Sequence, residues 1–380
     1  MAKPSSEEQA QLRRLIAGSL RRQGFRVRDG QIIPSESLNK ETIRRLHHLS
    51  VQHRIASAQP HLAHYEDRLL QRIASGHEVD PAKVAPRLVE VAAGSEDELL
   101  FRYASLHWSI PTSSGYGRRL RFLVEDAHNG KLIGIFGLCD PVFSVAARDA
   151  WIGWDANARK ARLRHVMEAF ILGAVPPYSM LLCGKLVAML CASDEVRRAF
   201  QRKYGQGTTW ITGAAADGRL ALITTTSALG RSSIYNRLRY GDRLLMHSVG
   251  YTSGWGEFHF SNGVYARLRE YAEKYCEATA KHTAWGTGFR NRREVIRRVL
   301  AHVGLSSRWM NHGIHRELFV MPLARNTREF LRSEHQRLLW YHQSVEELFA
   351  YFRERWLLPR AARHREFTAY SNELFRLWGK

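Results

Sequence analysis

Between residues 6 and 104 the apolar positions recur at intervals of three and four. Residues 11–20 form a basic amphipathic stretch, residues 40–55 (KETIRRLHHLSVQHRI) keep the spacing, and residues 62–74 and 88–93 continue it. That period gathers apolar side chains on one face of a helix, so the first hundred residues are predicted helical, a scaffold without a motif. The pattern changes at Trp108. A turn-rich segment, WSIPTSSGYGRR (108–119), leads into a short apolar strand at 120–124. His128-Asn129-Gly130-Lys131 then predicts a hairpin, because Asn-Gly supplies the positive φ angles of a type I′ turn. Residues 132–139 return as an unbroken apolar run, as in a strand buried on both faces.

Further along, the pattern predicts a strand around 150–154, a helix over 157–170 and an apolar strand over 171–175 that Pro176-Pro177 stops. A buried helix over 181–191 and a polar one over 194–204 follow, then a loop over 205–218. A strand at 220–225, a short helix at 232–239 and a strand at 244–252 complete a mixed α/β core. From residue 263 the chain reads as helical again. Ser344-Val345-Glu346-Glu347 is a capping box, and Pro359 is expected to end the helix it opens. The expected organisation is therefore α/β (α+β): an N-terminal helical region (1–105), a core (106–262) and a C-terminal basic helical region (263–380).

Composition adds one unusual number. Hydrophobic residues make up 44% of the 380, enough for a folded core. The four cysteines form no CxxC pair and no cluster with metal-ligand spacing, which favours a reducing cytoplasmic setting and gives no metal site. No signal core and no apolar run of about 18 residues occurs, so no membrane association is expected. Against that ordinary background stand 57 Lys and Arg beside 36 Asp and Glu, a net charge of +21. The excess is uneven, since residues 281–380 hold 19 basic and 9 acidic side chains. Such a field draws polyanions, which points to nucleic acid, DNA foremost, or to an acidic partner protein.

No phosphate-binding GxxxxGK[ST], HExxH, GxSxG or GxGxxG signature is present. Three stretches carry candidate chemistry. In Tyr116–Arg121, Arg118, Arg119 and Arg121 beside two glycines suit a phosphate clamp, or equally a solvated basic turn. In GAVPPYSMLLCGK (173–185), Tyr178, Ser179, Gly184 and Lys185 suit an anion site at a helix N-terminus, or close helix packing. In residues 224–259, Arg231, Tyr235, Asn236, Arg237, Thr252, Trp255 and Glu257 suit a pocket edge, or scattered turn chemistry. Asp140 flanks a strand end, where a general base or a turn role fits. Arg292 and Arg293 join Arg118, Arg119, Arg121, Arg231 and Arg237 as expected nucleic-acid contacts. The histidines, His47 and His48 with His312 and His315, are read as structural.

At these stretches a resemblance enters. GYGRRLRFLVEDAHNGKLIGIFGLCDPVF (115–143), RDAWIGW (148–154), LGAVPPYSMLLCGKLVAML (172–190), TTSALGRSSIYNRL (225–238) and GYTSGWGEFHF (250–260) closely resemble the DruA family. RNRREVIRRVL (290–300) and NHGIHRELFVMPLARN (311–326) extend the likeness over most of residues 40–330. The family is named for its member in the Druantia anti-phage defence system of bacteria. The resemblance implies a defence protein working beside other Druantia proteins, including a large helicase. A fainter similarity links the element order to GNAT acyltransferases and to the phage protein Mom, which modifies adenine in DNA on such a fold. That similarity implies a GNAT-like core, acyl-CoA as a cofactor, and a nucleobase-modifying or other acyl-type transferase with Asp140, Tyr178, Asn236 and Glu257 as catalytic candidates. The loop departs from an acyl-CoA loop, offering one glycine among bulky apolar residues in Ser179-Met180-Leu181-Leu182-Cys183-Gly184. A non-catalytic subunit docking an acidic partner or a helicase is the third reading.

Overall fold

The structure, a computed structural model, describes residues 3–113, 115–208, 215–278, 289 and 291–379; Ser114 of the expected turn and part of the loop 205–218 lie outside them. In chain order the elements are α1 (Ser6–Gln23), β1 (Phe25–Arg28), β2 (Gln31–Pro34), α2 (Lys40–Leu62), α3 (Glu66–Leu70), β3 (Pro86–Glu90) and α4 (Glu96–Ser105). Then come β4 (Arg119–Asp126), β5 (Lys131–Cys139), α5 (Ala146–Ile152), α6 (Ala156–Arg162), β6 (Val166–Ala174), α7 (Cys183–Leu190), α8 (Asp194–Tyr204) and β7 (Leu222–Thr226). The remainder comprises β8 (Arg239–Tyr240), β9 (Arg243–Leu244), β10 (His247–Tyr251), α9 (Val264–Tyr275), α10 (Arg292–His302), β11 (Glu317–Pro322), α11 (Thr327–Leu331), α12 (Val345–Phe352) and α13 (Leu358–Arg363).

A seven-stranded mixed sheet organises the molecule, in the order β10-β11-β7-β6-β5-β4-β3. Neighbours run antiparallel except β6 and β7, which pair in parallel only at Val166–Leu222, Met167–Ile223 and Glu168–Thr224. The sheet crosses both expected boundaries, because β3 comes from the segment 1–105 and β11 from 263–380. Residues 86–90 are a strand rather than a helix: Leu88 and Val89 pair with Val124 and Leu123, and an edge partner decides a short apolar run that periodicity leaves ambiguous.

Two further expectations change. Residues 146–152 form a helix, not a strand. The Asp149 carboxylate accepts the Val145 N–H at 3.1 Å to close its first turn, and Gly153 (φ 77°) ends it. The helix expected over 157–170 stops at Arg162, and β6 begins at Val166 between two hydrogen-bonding neighbours. The hairpin is present, but Gly130 alone of the Asn-Gly pair takes a positive φ, and Asp126 pairs with Lys131 across a longer loop than a type I′ turn.

One face of the sheet is covered by α7, α8 and α12, which bury Phe122, Phe136, Met167, Leu186, Val187, Phe200, Leu348 and Phe352 together. The other face carries two separate packs. Near one end of β6, Ile171 joins Leu123, Ile135 and the side chains of α3 and α4. Near its other end, Val166 joins Ile152, Val320 and Phe330 from α5, β11 and α11. A second core lies apart, where α1, the β1–β2 hairpin and the start of α2 pack on α9 and α10.

Candidate functional site

The GYG turn is built on Asp140. Gly117 has a φ of +63°, and a Cβ there would lie 2.1 Å from the Asp140 carboxylate, so the close approach requires glycine. Asp140 accepts the Arg118 N–H at 2.9 Å and its Nε–H at 2.8 Å, while the same guanidinium donates to the Arg164 carbonyl and lies over Phe200 and Tyr204. Arg118 and Asp140 therefore fix the turn. Arg121 is likewise engaged, donating to Glu98 at 2.6 Å. Arg119 is exposed, and its side chain has no hydrogen-bond or ion-pair partner among the described residues. It lines a cleft of about 560 Å³ with Glu90, Arg121, Lys203 and Tyr204.

At 173–185 the chain satisfies several of its own polar groups. The Tyr178 hydroxyl is buried and donates to Asp126 at 2.8 Å while accepting from Asn129 at 2.9 Å; burial, then the Asp126 charge, pushes its pKa up. Ser179 is exposed. The backbone N–H groups of Ser179, Met180, Leu182 and Lys185 all bond to nearby carbonyls. Arg360 of α13 donates to the Met180 carbonyl at 3.0 Å, and a Cβ on Gly184 would meet Ile234 at 3.8 Å. A pyrophosphate needs several free N–H groups and space, and four of this turn's N–H groups are already engaged within the chain. Lys185 is half-buried under the Trp356 ring at 5.0 Å; its pKa is lowered by burial and then by Arg237 and Arg355, which gather there with it.

The stretch from 231 to 259 separates similarly. Asn236 donates to both oxygens of Glu317 (3.1 and 2.9 Å), a buried carboxylate that also accepts from the Ser232 N–H and the Ser248 hydroxyl. Tyr235 packs edge-on against Phe319, and Thr252 accepts the Arg316 N–H at 3.1 Å. These contacts tie Asn236, Tyr235 and Thr252 to the β10–β11 margin. Glu257 lies between Arg292 (3.7 Å) and Arg293 (3.4 Å). Arg292 stacks over Tyr265 at 3.7 Å and Arg293 over the exposed Trp255 at 5.1 Å. Arg231 and Arg237 are exposed, their side chains without a hydrogen-bond or ion-pair partner among the described residues.

One carboxyl escaped the sequence reading. Glu168 sits in VMEAFILGA, an acid within an apolar run, which the expected helix over 157–170 concealed. An extra residue in β6 opposite Gly137 and Leu138 turns Phe170 and Ile171 to one face, which Glu168 shares. On that face Glu168 falls between the two helical packs. Burial raises its pKa, opposed by the charge of Arg148, a hydrogen bond from the Val142 N–H and the charge of Arg293. Nearby, burial and then the Glu168 charge push the Tyr116 phenol up to about 12; burial is likewise the main cause raising the Cys139 thiol to about 12.

The family model described as Druantia protein DruA matches residues 37–333. A relative named Druantia protein DruA, from Escherichia coli (strain UMEA 4076-1), is 39% identical over 369 residues, covering 97% of this chain and 91% of its own length. No solved structure matches. A match spanning most of the chain in both comparisons places the motifs of the GYG turn, the 173–185 turn and the 225–260 stretch inside one family pattern, and the chain belongs to the DruA family of Druantia anti-phage defence proteins.

Proposed function

We propose that this DruA-family protein contributes to defence by binding nucleic acid, DNA foremost, as one component of a system with other Druantia proteins, among them a large helicase. The supporting observation is the pairing of arginines with open aromatic faces. Arg293 over Trp255, Arg292 over Tyr265 and Arg159 over Phe143 (5.0 Å) set a cation beside a ring, with Trp255 and Phe143 exposed. Arg119, Arg231 and Arg237 add exposed cations that no described carboxylate neutralises. Guanidinium groups meet phosphates while rings stack on bases, the combination that single strands need. The net charge of +21 supplies the long-range attraction.

Fluorescence anisotropy with labelled single-stranded and duplex DNA tests this reading. Affinity should fall steeply between about 50 and about 200 mM salt, and Arg231→Ala or Arg237→Ala should each lower the salt slope by about one. Absence of binding to either form, or affinity indifferent to salt, would overturn it. Capture of another Druantia protein that survives nuclease treatment would instead favour the docking role.

A further inference from the structure

Beside the GYG turn the sheet has a notch. The β3–β4 ladder runs from Pro86–Asp126 to Glu90–Phe122, and its last bond is the Val91 N–H donating to the Arg121 carbonyl at 2.8 Å. In that register Ala93 would come opposite Arg119. Instead the chain turns away at Gly94 (φ +75°), with the Ser95 N–H donating back to the Ala92 carbonyl, and Ser95 caps α4. Arg119 is left without a strand on that side, and its backbone N–H and carbonyl both point into the gap, as those of Arg121 point to Val91. The Tyr204 hydroxyl, at the end of α8, takes both: it accepts the Arg119 N–H and donates to the Arg119 carbonyl, each at 2.7 Å. A single side chain thus satisfies the backbone where a strand would stand, and it does not fill the space. What remains is the cleft of about 560 Å³, with Ala92, Ala93 and Gly117 as walls that add little bulk.

The gap is strongly charged. Alternation along β4 puts Arg119 and Arg121 on one face, and Lys203 enters from α8. Arg121 is held by Glu98 at 2.6 Å. Glu90, the one acid among the described residues lining the cleft, is shared between Arg202 at 3.5 Å and Lys203 at 3.7 Å. Arg118 and Asp140, behind Gly117, neutralise each other. Arg119, Arg121, Arg202 and Lys203 therefore face only Glu90 and Glu98, an excess of two positive charges, and the Arg119 side chain has no partner among the described residues. A phosphomonoester carries close to two negative charges above its second pKa of about 6, whereas a diester inside a strand carries one. The cleft lies within the size range of small-molecule sites, so it has room for the sugar and base that such a phosphate brings.

We propose that this notch binds the dianionic phosphomonoester of a nucleotide, free or at the end of a DNA strand, with Arg119 and Lys203 as the cations that hold it. The strand-end form rests on the nucleic-acid reading above and adds to it a preference for phosphorylated ends over strand interiors. The free form does not depend on that reading.

Internally labelled oligonucleotides ending in a 5′ phosphate, a 3′ phosphate or hydroxyls at both ends provide the first measurement. A hydroxyl-ended strand two nucleotides longer carries the same total charge as a phosphorylated one and controls for charge alone. One phosphorylated end should bind about tenfold more tightly than either hydroxyl-ended strand, the gain expected of charge-assisted hydrogen bonds. Arg119→Ala, at an exposed position where folding is not at stake, should remove most of that preference, and Lys203→Ala should reduce it. A preference that survives intact in either variant would overturn the site. Calorimetry with dAMP and deoxyadenosine reads the free ligand. Binding of dAMP alone, lost in Arg119→Ala, without any end preference on strands would assign the notch to a free nucleotide. If strands show no end preference and dAMP is held no better than deoxyadenosine, the site is overturned, while salt-dependent binding of the hydroxyl-ended strands would leave the nucleic-acid reading standing. Binding of dAMP with no binding of any strand gives the reverse result: the notch stands and the nucleic-acid reading falls.

Discussion

Arg118 and Arg119 are adjacent in the chain and opposite in use. The first is clasped by Asp140, the Arg164 carbonyl and two aromatic rings, with a quarter of its side chain exposed; the second projects into the cleft beside Lys203. Arg118→Ala would leave a partly buried carboxylate without its guanidinium, so it should cost about 1–3 kcal/mol of folding stability. Arg119→Ala should change stability by less than about 0.5 kcal/mol and weaken DNA binding instead. Urea unfolding of the two variants beside an anisotropy titration separates them, and equal stability losses would contradict the assignment. The sequence displayed the residue types of this site but not their partners. Asp140 lies 22 residues beyond Arg118, and Glu317 lies 81 beyond Asn236, separations that only the folded sheet closes. Arginine-rich turns look alike whether the guanidinium serves the protein or a ligand. What distinguishes them is a carboxylate delivered by another element.

Among the elements, those fixed by local chemistry were legible. The capping box at Ser344 is formed as expected: its hydroxyl accepts the Glu347 N–H at 3.1 Å and the Glu347 carboxylate accepts the Ser344 N–H at 2.7 Å. Ser344→Ala should cost about 1 kcal/mol, read by urea unfolding, because it orphans an N–H of the first turn. Loss of that cap reaches the main core, since Leu348, Phe352 and Leu357 pack with α7. Pro359, expected to stop this helix, does not. A π-turn over Arg353–Leu357 precedes it and the helix restarts at Leu358, which leaves the proline in a first turn where no N–H is required. The strands β4 and β5 and the helix α8 were equally plain from apolar runs and first-turn acids. The strand at 86–90 and the helix at 146–152 were not, because tertiary pairing chose between two structures that their short patterns permit.

At the scale of the whole molecule, the second core encloses a buried set of histidines. His47 on α2 donates from Nδ1 to the Ile43 carbonyl and accepts at Nε2 from Arg316, with Phe258 stacked on its ring at 3.8 Å. His259 donates to the Trp309 carbonyl, and His312 accepts the Ile314 N–H. Burial lowers the three pKa values to about 3, 4 and 2 for His47, His259 and His312, with Arg316 further depressing the first and His259 and Arg316 the last. These are bases whose folded pKa lies below the unfolded value of 6.5. The unfolded chain therefore takes up protons first, and stability falls as pH drops from about 6.5 toward 4. At pH 5 the loss approaches about 2 kcal/mol for each histidine. Urea unfolding at pH 7.5, 6 and 5 measures it, and a flat profile would show the histidines to be solvated.

The position of β11 has a consequence for how the protein is made. This strand, Glu317–Pro322, lies inside the sheet between β10 and β7, both of which leave the ribosome well before it. Until it arrives, each of those strands presents an unsatisfied edge, and the buried Glu317 that Ser232, Asn236 and Ser248 surround is missing from its place. A nascent chain cut short of residue 317 cannot close its sheet by adding more of what it already has. It is a template for strands from other chains, so translation pauses or premature stops in this stretch should yield aggregates rather than a smaller folded protein.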